Sequence, residues 1–204
     1  MLSELLNQII NYTQYDLLIS VYDDCSTEEE SFNNFILCQR FNIDYFRSGT
    51  NYGKKKYFHL INKAFASIPD ADYYFMLPDD FAIEPNYFDR CIHGFNAIKS
   101  NDKVCMNTDI DGRIGKECWT NYKPVDIGNV YRSQWVDMCF IATRRFFDAL
   151  GKIEVGNRWE RDESLGSGVG AVISKRLHNL GYGLYHSKEH LTTHKGIESK
   201  MNPR

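Results

Sequence analysis

Tyr73-Tyr74-Phe75-Met76-Leu77-Pro78-Asp79-Asp80-Phe81 is an apolar run that stops on two adjacent carboxylates. Its length and aromatic content are those of a buried strand. Ending such a strand on paired aspartates concentrates negative charge at the rim of a sheet, which is costly unless a cation or hydrogen-bond donors sit there. Leu77 precedes a proline and is pushed towards extended geometry, so the chain stays strand-like into the pair and the two side chains point to different sides. One aspartate can then hold a metal ion while its neighbour holds another group.

Working outward, the same arrangement occurs upstream. Leu17-Leu18-Ile19-Ser20-Val21-Tyr22 is a β-rich run that ends at Asp23-Asp24-Cys25-Ser26-Thr27, a polar turn able to cap the next helix. Leu2, Leu5, Leu6, Ile9 and Ile10 fall at helical spacing and predict an amphipathic helix at the start of the chain. Phe32, Phe35 and Ile36 mark a second helix, and Ile43 to Phe46 a short strand. Tyr57, Leu60, Ile61, Ala64, Phe65 and Ile68 line a helix stopped by Pro69. Beyond the aspartates, Pro85 suits the first turn of a helix carrying Phe88, Ile92, Phe95 and Ile98, and Val104 to Met106 reads as another strand. Strand and helix alternate, which predicts an α/β domain with a central, mostly parallel sheet flanked by helices. Ligands of such sheets sit beyond the carboxyl ends of the strands, where both aspartate pairs lie.

The second half is less regular. Residues 108–133 are polar, contain Gly112, Gly115, Pro124 and Gly128, and predict a long connection or a small hairpin over the sheet. Trp135 to Ala142 reads as a strand, Arg145 to Leu150 as a short helix stopped by Gly151, and Val169 to Leu180 as a longer one ended by Gly181. No repeat or domain boundary is visible, so the expectation is a single domain over residues 1–204.

Composition narrows the function. The 204 residues are 43% hydrophobic and 14% aromatic, enough for a real core, and the net charge is -3 with 24 scattered basic residues. No basic stripe marks a polynucleotide partner. Six cysteines stand singly, without zinc or redox spacing, as expected of buried thiols in a reducing compartment. No run approaches the roughly 18 apolar residues of a membrane span, and the N-terminus lacks signal-peptide character, so a cytoplasmic location is expected.

Each candidate site has a bland alternative. Asp79-Asp80 can be a solvated turn before the helix near Pro85, but the second pair Asp23-Asp24 favours a nucleotide pocket in which one pair meets base or ribose and the other manages a metal and a diphosphate. Lys54, Lys55 and Lys56, after Asn51-Tyr52-Gly53, add positive charge on that side or form a solvated helix face. Gly166-Ser167-Gly168-Val169-Gly170 imitates a dinucleotide loop but follows no strand, so that reading fails. Asp162 and Glu163 just upstream are possible general bases. His186, His190 and His194 are spaced by four, yet Leu184-Tyr185 and Thr192-Thr193 favour extended structure, so one histidine at most is expected at the site. Trp135 can be core while Asp137 opens towards the cleft.

The order of these pieces resembles the GT-A glycosyltransferases, particularly the inverting family-2-like enzymes. The matching segments are Asp23-Asp24-Cys25-Ser26-Thr27, Asn51-Tyr52-Gly53-Lys54, Leu77-Pro78-Asp79-Asp80, Met138 to Phe147, Arg176-Leu177 with Gly181-Tyr182, and Thr193-His194-Lys195-Gly196. As a small free-standing domain the chain is similar to glycosyltransferases encoded by chlorella viruses, for which the cytoplasm would be that of the host. The resemblance implies a nucleotide-binding half over 1–107 and an acceptor-binding half over 108–204. It implies that Tyr22, Asp23 and Asp24 meet the nucleobase with Gly53 and Lys54 and that Asp79 touches the ribose; Asp137, from its place on the strand, is a further nucleotide-sugar-binding candidate. Asp80 and His194 would hold Mn2+ or Mg2+, and Asp162 would be the base with Glu163 its rival. The implied reaction moves a sugar from a nucleoside diphosphate sugar, a UDP-sugar, to a hydroxyl of a glycan or glycoprotein.

Two departures from the family pattern stand out. GT-A enzymes open with a strand before the first helix, whereas this chain starts at Met1 in the helix, so that strand is absent here or replaced by another segment. Asp162 also lies farther ahead of Arg176-Leu177 than the family spacing. The alternatives are a sugar-phosphate nucleotidyltransferase, which would want an early glycine-rich phosphate loop, and a non-catalytic carbohydrate- or nucleotide-binding module of the same fold.

Overall fold

The computed structural model describes residues 1–52, 57–109, 125–133, 135–136, 138–154 and 169–195. The chain opens with helix α1 (Leu2–Asn11), which buries Leu5, Leu6 and Ile9 as their spacing predicts. Strand β1 (Ser20–Asp23), helix α2 (Glu28–Arg40) and strand β2 (Asp44–Arg47) form a right-sized β-α-β unit whose strands pair in parallel. Helix α3 (Phe58–Ala66), strand β3 (Tyr74–Met76), strand β4 (Phe81–Ile83), helix α4 (Tyr87–Ala97) and strand β5 (Lys103–Asn107) follow. Pro85 lies just outside α4, because Asn86 takes a left-handed conformation (φ +59°) and turns the chain into the helix one residue later.

Residues 125–133 form the hairpin of β6 (Val125–Asp126) and β7 (Val130–Ser133) across Gly128 at φ +93°. Strand β8 (Phe140–Ala142) is shorter than the apolar run predicts; Trp135 is buried but lies ahead of it. Helix α5 (Arg144–Leu150) and helix α6 (Val169–Asn179) lead to β9 (Gly183–Ser187) and β10 (Thr192–His194).

The central six-stranded sheet runs β3-β8-β5-β9-β7-β6, with β1-β2 and β4-β10 as separate pairs. The expectation of a mostly parallel sheet needs correction. Among the described residues, β5 and β9 form the one parallel ladder of the six-stranded sheet, and the other pairings within it are antiparallel. The reason lies in the connections: strands joined through a hairpin or a returning loop run antiparallel, and only a crossover makes a parallel neighbour.

Alternation along the strands divides the core between two faces. Met106, Ile141 and Tyr185 pack with α1 and α4, while Cys105, Phe140, Ala142 and Leu184 pack with α3, α5 and α6. Each fully buried Phe, Leu or Ile contributes about 1.5–3 kcal/mol. Two clusters on opposite faces therefore hold the sheet as the rigid layer from which the rim loops project.

One close approach anchors the end of the sheet away from the site. Asp102 accepts hydrogen bonds from Ser100, from Tyr185 Oη at 2.7 Å and from Arg132. Burial opposes its ionisation, but these hydrogen bonds and the Arg132 charge lower its pKa. A Cβ on Gly183 would stand 2.7 Å from both Asp102 Oδ1 and Tyr185 Oη. Gly183→Ala is therefore expected to break the Tyr185–Asp102 bond and destabilise the chain by about 1–3 kcal/mol, as overpacking does. A melting temperature lowered by several degrees would register it; an unchanged one would mean the triad relaxes freely.

Candidate active site at the sheet rim

The turn after β1 is built by its own side chains. Asp23 is 7% exposed, and its Oδ1 accepts from Ser26 N at 2.8 Å while its Oδ2 accepts from the Tyr45 hydroxyl. Burial opposes ionisation, yet bonds from Tyr45, Ser26 and Ser31 lower the Asp23 pKa. Burial and the same carboxylate push the Tyr45 phenol up to about 12. Cys25 bends the turn at φ +62°, and Thr27 closes a reciprocal capping box with Glu30 at the start of α2. Asp24 Oδ1 accepts from Tyr52 N at 2.9 Å and so ties the segment before α3 to the end of β1. Tyr22 goes elsewhere. Its ring stacks on Phe46 at 5.0 Å, its hydroxyl bonds Ser67, and it lines a cleft of about 250 Å³ with Arg47, Ser48, Leu60 and Lys63, under α3. Neither Asp80 nor His194 lines that cleft.

The turn after β3 carries the second pair. Phe81 N donates to Pro78 O at 3.3 Å, closing a tight turn that presents Asp79 and Asp80. The chain then forms β4, which pairs antiparallel with β10 so that His194 stands opposite Phe81. This register brings His194 Nε2 to 3.0 Å from Asp80 Oδ2, and Lys195 N donates to Asp80 O at 2.9 Å. Asp79 keeps solvent access, but the protein packed around it and the Asp80 charge raise its pKa.

Tyr57 stands one residue ahead of α3. Burial, followed by the charges of Asp24, Asp79 and Asp80, pushes its phenol up to about 12. The phenol is thus held neutral, within electrostatic reach of three carboxylates. The sequence reading assigns Tyr57 only to a helix face; its place directly after the Asn51–Lys56 segment is the signal that could have found it.

The three histidines separate as their extended context predicts. His186 is buried in β9 and bonds Trp135 O at 2.7 Å, His190 is exposed before β10, and His194 meets Asp80. Gly53, Lys54, Asp137, Asp162 and Glu163 lie outside the described residues.

The donor set fits a hard divalent cation. Two ligands at about 2.1 Å from one ion and at right angles lie about 3.0 Å apart, which is the separation of Asp80 Oδ2 and His194 Nε2. Among the described residues no group of three His, Cys, Asp or Glu side chains gathers around a point. Magnesium-like ions commonly take one or two protein carboxylates and complete their shell with phosphate oxygens and water.

Sheet order, flanking helices and acidic rim define an α/β domain with the GT-A glycosyltransferase fold. Two solved structures share it: GalNAc-T7 with UDP, GalNAc and Mn2+ (TM-score 0.55, 15% identity, covering 89% of this chain and 38% of that one), and TarS 1-349 of S. aureus (TM-score 0.58, 12% identity, covering 94% and 55%). The chain thus spans between about a third and just over half of these neighbours' length. No protein-family profile and no curated protein matches the sequence. Among the described residues no helix is long and apolar enough to cross a membrane.

Proposed function

We propose that this chain is a metal-dependent glycosyltransferase that moves a sugar from a UDP-sugar to an acceptor hydroxyl of a glycan or glycoprotein, with inversion. The observation that carries the reading is the meeting of Asp80 and His194, 114 residues apart in sequence, beside two aspartate pairs on the rim of a GT-A fold. The Mn2+ and UDP in the GalNAc-T7 structure support it.

Asp80 and His194 would hold Mn2+ or Mg2+, and such a cation offsets the charge that a diphosphate leaving group gathers. Asp79, exposed at the turn, is assigned to the ribose, whose hydroxyls its carboxylate would accept from. Asp24, with Gly53 and Lys54, is assigned to the base. Asp23 and Tyr22 serve that contact indirectly: the first shapes the turn, and the second braces β1 against α3. Asp137 is assigned to the sugar and Asp162 to the acceptor proton, with Glu163 as its rival.

Thermal denaturation with UDP, UDP-sugars and Mn2+ tests the reading. A ligand at 100 times its dissociation constant adds about 2.7 kcal/mol, so UDP with Mn2+ is expected to raise the melting temperature well beyond either alone. A chain unmoved by every UDP-sugar with Mn2+ would sink the proposal. Pyrophosphate release from UTP and a sugar phosphate would move the assignment to a nucleotidyltransferase.

A further inference from the structure

Lys195 follows His194, and strand alternation sends its side chain to the other face of β10. There the ammonium, closed off from solvent, pairs with Glu4 Oε2 of α1 at 2.7 Å. One helical turn along α1, Gln8 Oε1 accepts from Ile83 N of β4 at 3.1 Å. Residues four apart share a helix face, so one face of α1 grips both strands of the β4-β10 pair. Those two strands carry Asp80 and His194 at their adjoining ends. The helix itself is held by Leu5, Leu6 and Ile9, each under 8% exposed, which makes it a firm support.

We infer that α1 positions the Asp80–His194 pair, with Glu4 and Lys195 as positioning residues that hold β10 in register against the Asp80 turn. The inference rests on the metal reading of that pair. Lys195 acts through two bonds at once: its backbone N–H holds the Asp80 carbonyl, and its side chain fixes the same residue to α1. Loss of the ion pair, whose Glu4 side chain is 63% exposed, removes the side-chain tie between β10 and α1 and frees β10 to shift. The shift would move His194 relative to Asp80, the two donors now 3.0 Å apart and so able to take adjacent positions on one ion.

The test is Mn2+ affinity of the full chain, measured by electron paramagnetic resonance of the free ion, for wild type, Glu4→Gln, Lys195→Met, their combination and the exchange Glu4→Lys with Lys195→Glu. Each single variant is expected to weaken Mn2+ binding about 10-fold, in the range of outer-shell partners. The combination should lose no more than either single variant, and the exchange should recover most of the affinity. Gln8→Ala, which leaves the ion pair intact, should weaken binding about threefold and serves where a Lys195 variant folds poorly. Variants that bind Mn2+ like wild type, whatever their melting temperature, would overturn the positioning role. A wild-type chain that binds no Mn2+ would overturn the metal reading itself and this inference with it, an outcome distinguishable before any variant is made.

Discussion

Asp80→Ala is expected to abolish the response to Mn2+ and to lower transfer by about 10³-fold. Metal stabilisation of a leaving diphosphate is worth several kcal/mol, and about 4 kcal/mol corresponds to three decades of rate. Asp80 supplies a carboxylate oxygen 3.0 Å from His194 Nε2, so its removal takes the charged donor from the pair. Asp80→Asn is the sharper variant, since it preserves shape and a hydrogen-bond acceptor for His194 while removing the charge. Calorimetric titration with Mn2+ and initial rates at varied Mn2+ check both variants. Unaltered metal titration would remove Asp80 from the site.

Asp162→Asn is expected to reduce kcat by about 10²- to 10⁴-fold while leaving donor binding intact. Asparagine keeps the size of the side chain but cannot accept a proton, so the loss belongs to the step in which the acceptor hydroxyl attacks. Two signatures separate it from misfolding: UDP with Mn2+ should stabilise the variant as it does the wild type, and the acidic limb of the pH–rate profile should disappear. Glu163→Gln is the control. If it costs more than Asp162→Asn, the two residues exchange roles; if both turn over normally, the base lies elsewhere.

The elements that sequence reading locates well are those whose pattern is local. Leu5, Leu6 and Ile9 specify α1, Gly151 and Gly181 stop α5 and the turn after α6 with positive φ, and Thr27 caps α2, all within one or two turns of chain. Strand Tyr74–Met76 is legible from its dense aromatic run, although as the edge strand of the sheet it buries Tyr74 but Phe75 and Met76 only in part. Strand β4 is hidden, because Phe81-Ala82-Ile83 has too few residues to show a period and exists only through its ladder with Thr192–His194. The apolar run from Trp135 to Ala142 is half strand, since Val136 N bonds the Ser174 hydroxyl at 2.8 Å instead of a neighbouring strand.

The site divides along the same line. Paired aspartates at strand ends are visible because charge beside an apolar run is costly wherever it is buried. Partners are not, since a carboxylate says nothing of which donor reaches it from a distant segment. Asp23 illustrates the difference: in sequence it matches Asp79 as the first of a pair, but Tyr45 and Ser26 consume it in the turn, whereas Asp79 keeps access to solvent.

By itself the chain's residue order determined an α/β domain, the two acidic rims and the extended setting of His194, because apolar period, proline, glycine and caps act over a few residues. Tertiary structure alone decided which strands pair antiparallel, that Tyr57 lies within electrostatic reach of three carboxylates, and that Glu4, Lys195, Asp80 and His194 gather at one corner. Those outcomes depend largely on contacts between segments well separated in the chain, up to Glu4 and Lys195 near its two ends, where only the packed sheet sets the distance between groups.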